Sequence, residues 1–314
     1  MTPSHKPALR SRRLAWDGLE FRVPWNWDIG LYKFLRKGVT RVEIEDEYAV
    51  RLEAEWLRPR RKPDHASILK RYHKAVEKFT KSATEELPVK GLPAGWTATR
   101  FIIKETAPNA GNSGLKIVEQ QHVAALYLSP NSELVFFAFI HCIKEDQESP
   151  ADLIRLVAAD FRHHGRAKLV PWELFDISFE LPPEFLLEST LFDVGSKLMV
   201  FRWKMRRFYL WHFSCADMFL KDGVVMEEWV TGYLNAFSAI RGPIFRPGRN
   251  GEILWKRLWK HPFGHRDEIG RYCFKYRIRC RRDLEKNQLV AWVFNYRKDA
   301  DLDMIPADLR FPRP

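Results

Sequence analysis

The stretches WDGLEFRVP (residues 16–24) and WELFDISFELP (residues 172–182) share one pattern. Each opens on a tryptophan and closes on an apolar-alternating segment that a proline stops, Phe21-Arg22-Val23-Pro24 in one case and Phe179-Glu180-Leu181-Pro182 in the other. Proline cannot donate a hydrogen bond to a sheet ladder, so both segments are typical of strands that end there. The pattern predicts that the chain contains the same unit twice, in tandem.

The spacing that follows each opening segment supports this interpretation. The next glycine, Gly38 or Gly195, stands at the same distance from the proline to within one position. Each glycine begins a strand-rich run, and an amphipathic helix follows over 64–81 or 226–240. One further strand and a closing hairpin are predicted after each helix. Only the first half then continues into a helix with Ser149 as its N-cap and Pro150 at its first position.

We therefore expect an α+β fold made of two tandem copies of an antiparallel sheet flanked by helices. Residues 1–13 are expected to form a basic N-terminal arm, 14–168 the first unit and 169–314 a second unit without the final helix. The predicted core residues lie on the apolar phase of equivalent strands: Trp16, Phe21, Phe136, Trp172, Phe179 and Trp292.

The composition is that of a folded globular protein, with 46% hydrophobic and 29% charged residues. No apolar segment follows the basic start and no run of about 18 apolar residues occurs, so we expect a cytoplasmic protein without a membrane span. The four cysteines form no C-x-x-C pair, which favours buried free thiols: Cys142, Cys215, Cys273 and Cys280. The formal net charge of +12 indicates acidic partners.

Motifs that carry catalysis are missing from the sequence. It contains no phosphate-binding glycine loop, no H-E-x-x-H and no G-x-S-x-G. The segment from His261 to His265 is interpreted as a turn between strands rather than a metal site. The acidic run Glu43, Glu45, Asp46 and Glu47 is interpreted as a solvated strand face. We predict no catalytic residue, no metal and no cofactor.

Two basic stripes in the second half are the candidate binding surface. Lys275, Arg277, Arg279 and Arg281 alternate with Phe274, Tyr276, Ile278 and Cys280, which predicts one core face and one cationic face. Arg202, Lys204 and Arg206 alternate with Phe201, Trp203 and Met205 in the same way. If these strands share a sheet, their rows lie about 5 Å apart and favour an anionic partner. Trp255 and Trp259 are candidate stacking residues for nucleic-acid bases.

The unit also resembles the PsbP-like superfamily, which includes a photosystem II extrinsic subunit, a Ran-binding nuclear-import factor and a bacterial envelope lipoprotein. The resemblance is carried by the opening strand that ends in Val23-Pro24 or Leu181-Pro182, by the central helix and by the closing hairpin. It implies an antiparallel sheet flanked by helices and binding to another macromolecule, as an accessory or adaptor protein.

Three functions stay open at this stage. The first is a non-enzymatic binding or adaptor protein that engages an acidic macromolecule through the basic face of the second unit. The second is a nucleic-acid-binding protein that uses the same face, together with basic segments such as Arg58 to Lys62. The third is an enzyme of unrecognised type with a site between the units. The basic face has an alternative role too, which is to dock internally on the glutamate-bearing strands of the first unit.

Overall fold

The computed structural model describes residues 10–35, 39–59, 64–80, 83–108, 115–131, 133–143, 148–165, 167–221, 223–240, 243–248, 252–257 and 274–306. The chain divides into two compact units. The first comprises Met1–Arg166 with Pro171–Phe175, and the second comprises Ala167–Val170 with Asp176–Pro314.

The first unit is built from two antiparallel arrangements of strands. Its strands are β1 (Ser11–Trp16), β2 (Leu19–Pro24), β3 (Asp28–Phe34), β4 (Val39–Glu45), β5 (Val50–Leu57), β6 (Ala83–Pro88), β7 (Trp96–Pro108), β8 (Leu115–Leu128), β9 (Val135–Ile143), β10 (Arg162–His163) and β11 (Val170–Leu174). Its helices are α1 (His65–Thr80) and α2 (Pro150–Ala159). Seven strands form the main sheet in the order β3-β4-β5-β9-β8-β7-β6, and a smaller group has the order β10-β2-β1-β11.

The two helices pack on the strands through their apolar stripes. Tyr72 and Val76 of α1 lie against Phe101 and Phe137 of the main sheet. The hydroxyl of Tyr72 donates a hydrogen bond of 3.0 Å to the carbonyl of Ala124, which satisfies its polar end. Helix α2 packs against β2, β8 and β9.

The second unit contains strands β12 (Ile177–Leu181), β13 (Leu186–Asp193), β14 (Ser196–Trp203), β15 (Arg206–Ser214), β16 (Pro243–Pro247), β17 (Ile253–Arg257), β18 (Lys275–Asp283) and β19 (Gln288–Tyr296). Its helices are α3 (Ala216–Phe219) and α4 (Met226–Ala236), and a 3-10 helix covers Asp299–Met304. Five strands form its main sheet in the order β13-β14-β15-β19-β18, while β16 and β17 form a separate two-stranded sheet.

Helix α4 covers one face of the five-stranded sheet. Val230 and Leu234 are buried there in the same cluster as Trp211, Phe213 and Tyr276. The opposite face carries Phe201, Phe208 and Phe294 at facing register positions, because side chains alternate along each strand.

The strand orders of the two units correspond. The order β3-β4-β5-β9-β8-β7-β6 in the first unit matches β13-β14-β15-β19-β18 followed by β17 and β16 in the second, with one interruption between β18 and β17. A hairpin with a two-residue turn at positive φ also precedes the first strand of each main sheet, Asp17-Gly18 before β3 and Phe175-Asp176 before β13. Superposition of the two units stays a prediction.

The predicted core is confirmed. All six residues are buried, with at most 4% of the side chain exposed: Trp16, Phe21, Phe136, Trp172, Phe179 and Trp292. The prediction for the cysteines holds only in part, since Cys142 is buried but Cys215 is exposed. Cys273 lies outside the described residues.

The predicted fold class is wrong. Of the described residues 55% are in strands and 18% in helices, so the chain is a β-rich protein with four antiparallel sheets and not an α+β fold flanked by helices. Several strands were missed, among them β6 and β16. The side chains of β6 are mostly exposed and show no apolar alternation, while β16 is bounded by Pro243 and Pro247 and therefore resembles a loop. The predicted arm also differs, since β1 begins at Ser11.

Candidate binding surface

Exposed cationic residues alternate with more buried residues along β18, as predicted, and β18 is an edge strand of its sheet. Arg277, Arg279 and Arg281 are exposed, while Tyr276 and Ile278, which alternate with them, are buried. We call these three arginines the arginine row. Within the described part of the chain, β18 pairs with β19 on one side and carries no ladder on the other. The arginine row therefore lies on a strand whose outer N–H and C=O groups form no sheet ladder with any described residue.

A groove opens along this edge, between β18 and β17. Its volume is about 270 Å³, and we call it the edge groove. It is lined by Glu252, Ile253, Leu254, Trp255, Tyr276, Arg277, Ile278, Arg279 and Tyr296. The corresponding strands of the first unit leave no such space, because β7 and β8 pair continuously from Trp96 opposite Tyr127 to Pro108 opposite Leu115.

The second predicted stripe is not a single strand. Strand β14 ends at Trp203, Lys204 and Met205 form a turn, and β15 begins at Arg206. Arg202 stands opposite Arg207 in the ladder, on the α4 face of the sheet, whereas Arg206 lies on the other face with the arginine row. The prediction that Arg202, Lys204 and Arg206 share one face is therefore wrong.

Arg206 is engaged inside its own unit. Its Nε donates to Asp301 Oδ2 at 2.8 Å and its Nη2 donates to Asp301 Oδ1 at 3.0 Å, with both side chains largely buried. The guanidinium also lies over the Trp203 ring, 4.6 Å from its centre. Burial raises the pKa of Asp301, but the hydrogen bonds from Arg206 and from two backbone N–H groups outweigh it and hold that pKa below its ordinary value. This pair joins β15 to the 3-10 helix and leaves Arg206 little capacity for a partner.

Two other cations of the predicted surface also have acidic neighbours. Lys275 Nζ lies 2.9 Å from Asp299, and Arg202 lies 3.8 Å from Glu188, which Arg207 binds more closely. Neither Arg277 nor Arg279 has an acidic partner among the described residues. These two arginines of the arginine row are thus exposed cations without an acidic partner among the described residues.

The predicted stacking role of tryptophan finds no support in the geometry. Trp255 is half-buried and packs edge-on against Tyr276, with 5.2 Å between the ring centres. It also stands opposite the buried Phe245 in the β16–β17 ladder, so its ring belongs to the core side. Trp259 lies outside the described residues, as do Arg60 to Lys62 and the segment from His261 to His265.

A polar cluster in the first unit was not anticipated from the sequence. The Nδ1 atoms of His122 and His141 lie 3.0 Å apart, and His141 Nε2 lies 3.2 Å from Glu53 Oε1. When His141 is neutral, its Nε2–H donates to Glu53 and its Nδ1 accepts from His122. Arg41 Nη2 completes the chain, 2.6 Å from Glu53 Oε2. No sequence motif links these residues, because they meet only when β4, β5, β8 and β9 pair.

The cluster also shifts the titration of its members. Burial, together with the neighbouring His141, lowers the pKa of His122 to about 4. The hydrogen bond from His141, assisted by the charge of Arg41, holds the pKa of Glu53 below its ordinary value against the effect of burial. Among the described residues, no group of three or more His, Cys, Asp or Glu side chains is arranged to hold a metal ion.

Comparisons with known proteins add little to this geometry. No family model matches the chain, and no curated protein does either. One match among solved structures is the crystal structure of MucB in complex with MucA(peri), at 9% identity over 97% of this chain and 92% of that chain. Its TM-score of 0.18 is too low to relate the two folds. The PsbP-like resemblance stays a prediction. Of the helices described, none has the length and apolar character needed to cross a membrane.

Proposed function

We propose that this chain is a non-enzymatic binding protein that engages an acidic segment of a partner protein through the arginine row. The observation that carries the proposal is the position of Arg277 and Arg279. Both are exposed on an edge strand, neither has an acidic partner among the described residues, and both line the edge groove. Charges placed in this way steer and orient an oppositely charged partner.

A protein partner is preferred to nucleic acid because of the aromatic residues. Single-stranded nucleic acid is usually held by exposed aromatic rings on which bases stack, in addition to cations. The ring of Trp255 is instead packed against Tyr276. The nucleic-acid alternative keeps the same arginines and becomes an outcome of the test.

The alternative of internal docking would use the glutamates of the first unit, and these already have a cationic neighbour. Arg41 lies 2.9 Å from Glu43, 2.6 Å from Glu53 and 3.6 Å from Glu55. Their charge is partly compensated within their own sheet, which lowers the electrostatic gain of a second cationic surface. An outside partner for the arginine row is therefore the better-supported role.

The test compares two double variants with the same change of charge. Arg277→Glu/Arg279→Glu reverses two charges of the arginine row, whereas Lys90→Glu/Lys221→Glu reverses two exposed lysines elsewhere in the chain. Binding of a glutamate-rich peptide to the full chain should weaken at least about tenfold in the first variant, equivalent to about 1.4 kcal/mol, and little in the second. The melting temperature should stay unchanged in both.

Three results would overturn the proposal. Equal losses in the two variants would show a general effect of net charge. Tighter binding of single-stranded DNA than of the peptide, with a steep dependence on salt, would favour nucleic acid instead. A lowered melting temperature with intact peptide binding would show that the arginine row holds the fold together.

A further inference from the structure

We infer that the acidic segment binds as an additional β-strand along β18, which rests on the proposed function and specifies its mode of binding. The inference starts from the interruption of the second unit's sheet. In the first unit the strand next to β8 is β7, which closes the sheet up to β6. Within the described part of the second unit the ladder stops at β18, and the edge groove lies where the next strand would pair.

An unpaired strand edge is a template for another extended segment, since its free N–H and C=O groups can form a new ladder. The backbone hydrogen bonds of such a ladder can form with a segment of almost any sequence. Its specificity comes from the side chains that alternate to the two faces of the added strand.

The two sides of β18 define what those alternating side chains should be. On one face Arg277 and Arg279 repeat at every second residue, a spacing of about 6.6 Å that acidic side chains on an added strand would match. Opposite charges at facing positions of neighbouring strands stabilise pairing. The other face meets the aromatic rings of Tyr276 and Trp255, which offer apolar surface. The structure thus favours an extended segment in which acidic and apolar residues alternate.

The competing explanation is that the arginine row only protects an exposed edge from aggregation, a common use of charged residues on edge strands. It is weaker here because the groove also offers the half-buried Tyr296 and the exposed Leu254 to an incoming side chain. The opposite edge of the same sheet, β13, carries exposed leucines at Leu186 and Leu191 instead of a row of cations. A general need to protect edges would apply to both strands.

The experiment uses the full chain and a capped peptide of eight residues, one fewer than the nine of β18, in which four glutamates alternate with four valines. Two isomers carry N-methyl groups either on every glutamate or on every valine. Successive residues of a strand direct their N–H groups to opposite edges, so each isomer blocks hydrogen bonding along one edge only. Charge and composition are the same in both.

Strand addition predicts unequal binding of the two isomers. The isomer whose blocked edge faces β18 should bind at least about tenfold more weakly than the unmethylated peptide, while the other should stay within about threefold. Amide hydrogen exchange in β18 should slow when the unmethylated peptide is bound. Equal binding of the isomers, whether both are retained or both lost, would overturn the inference.

The outcome also separates this inference from the function on which it rests. If the unmethylated peptide does not bind, or binds Arg277→Glu/Arg279→Glu as well as the unaltered chain, the proposed function fails. If binding requires the two arginines but the isomers bind equally, the function stands and strand addition is wrong.

Discussion

Arg206 forms an ion pair with Asp301, and the two side chains are only 13% and 9% exposed. Arg206→Ala would leave the carboxylate buried without its principal donor, so we expect the free energy of unfolding to fall by about 3 kcal/mol. Urea denaturation measures the change. Arg202→Ala is the matched control, since its exposed ion pair with Glu188 should contribute less than about 1 kcal/mol. Equal effects of the two substitutions would contradict the assignment of Arg206 to the fold.

Phe136 offers a second test at the scale of one residue. Its side chain is fully buried and its ring lies 4.9 Å from that of Phe161 and 5.8 Å from that of Trp96. Phe136→Ala should lower the free energy of unfolding by about 3–5 kcal/mol because it leaves a cavity. Phe34→Ala, at a site that is 61% exposed, should change it by less than about 0.5 kcal/mol. An unchanged melting temperature for Phe136→Ala would refute its place in the core.

At the scale of elements, Asn235 ties α4 to β16. Its Nδ2 donates to the carbonyl of Phe245 and its Oδ1 accepts from the N–H of Phe245, each at 2.8 Å. Asn235→Ala would leave both backbone groups of the buried Phe245 without these partners, at an expected cost of about 1–3 kcal/mol. Amide hydrogen exchange in β16 should speed up more than exchange in β19.

Asn235→Asp separates the two hydrogen bonds, since aspartate keeps the acceptor and loses the donor. Its effect on exchange should be smaller than that of Asn235→Ala. Exchange in β16 that is the same in both variants and in the unaltered chain would show that the hairpin is positioned by other contacts.

Helices and strands whose apolar residues recur at a regular spacing were predictable from the sequence, and those without such spacing were not. The amphipathic spacing located α1 and α4, and the alternation of buried and exposed residues located β18. The turn at Lys204 escaped prediction because it contains no glycine, proline or asparagine, and Lys204 adopts a φ of +55° that lysine seldom takes. The apolar alternation continues through it, so β14 and β15 were interpreted as one strand. The arginine row was therefore recognised, but Arg202, Lys204 and Arg206 were wrongly placed on one face of one strand.

At the scale of the whole molecule, matched spacing predicted a repeated order of elements, and the strand orders of the two units correspond. Spacing along a chain cannot show which strands pair, since pairing depends on contacts between residues far apart in sequence. For this reason the sequence could not predict that the described residues of β17 and β18 form no ladder. Nor could it predict the cluster of His122, His141 and Glu53, whose members lie on three different strands.

Both units contain histidines whose pKa is lowered by burial, and this predicts how the whole chain responds to acid. His122 and His163 belong to the first unit and His212 to the second. Each resists protonation in the folded state but takes up a proton near its ordinary pKa of 6.5 when unfolded. The unfolded state then binds more protons than the folded state, so stability is fully present above that pH and falls as the pH decreases.

For His122 the fall should extend from pH 6.5 down to about 4, where the folded state also becomes protonated. Carboxylates with lowered pKa values, such as Glu53 and Asp301, add their own loss only at lower pH, below their ordinary values. The urea midpoint should therefore be lower at about pH 5 than at about pH 7, and His122→Gln should narrow that difference. His73→Gln, on the exposed side of α1, is the matched control and should leave it unchanged. An equal urea midpoint at the two pH values would show that protonation of these histidines does not destabilise the folded state. A His122→Gln variant with the same difference in midpoint as the unaltered chain would show that His122 does not cause that difference.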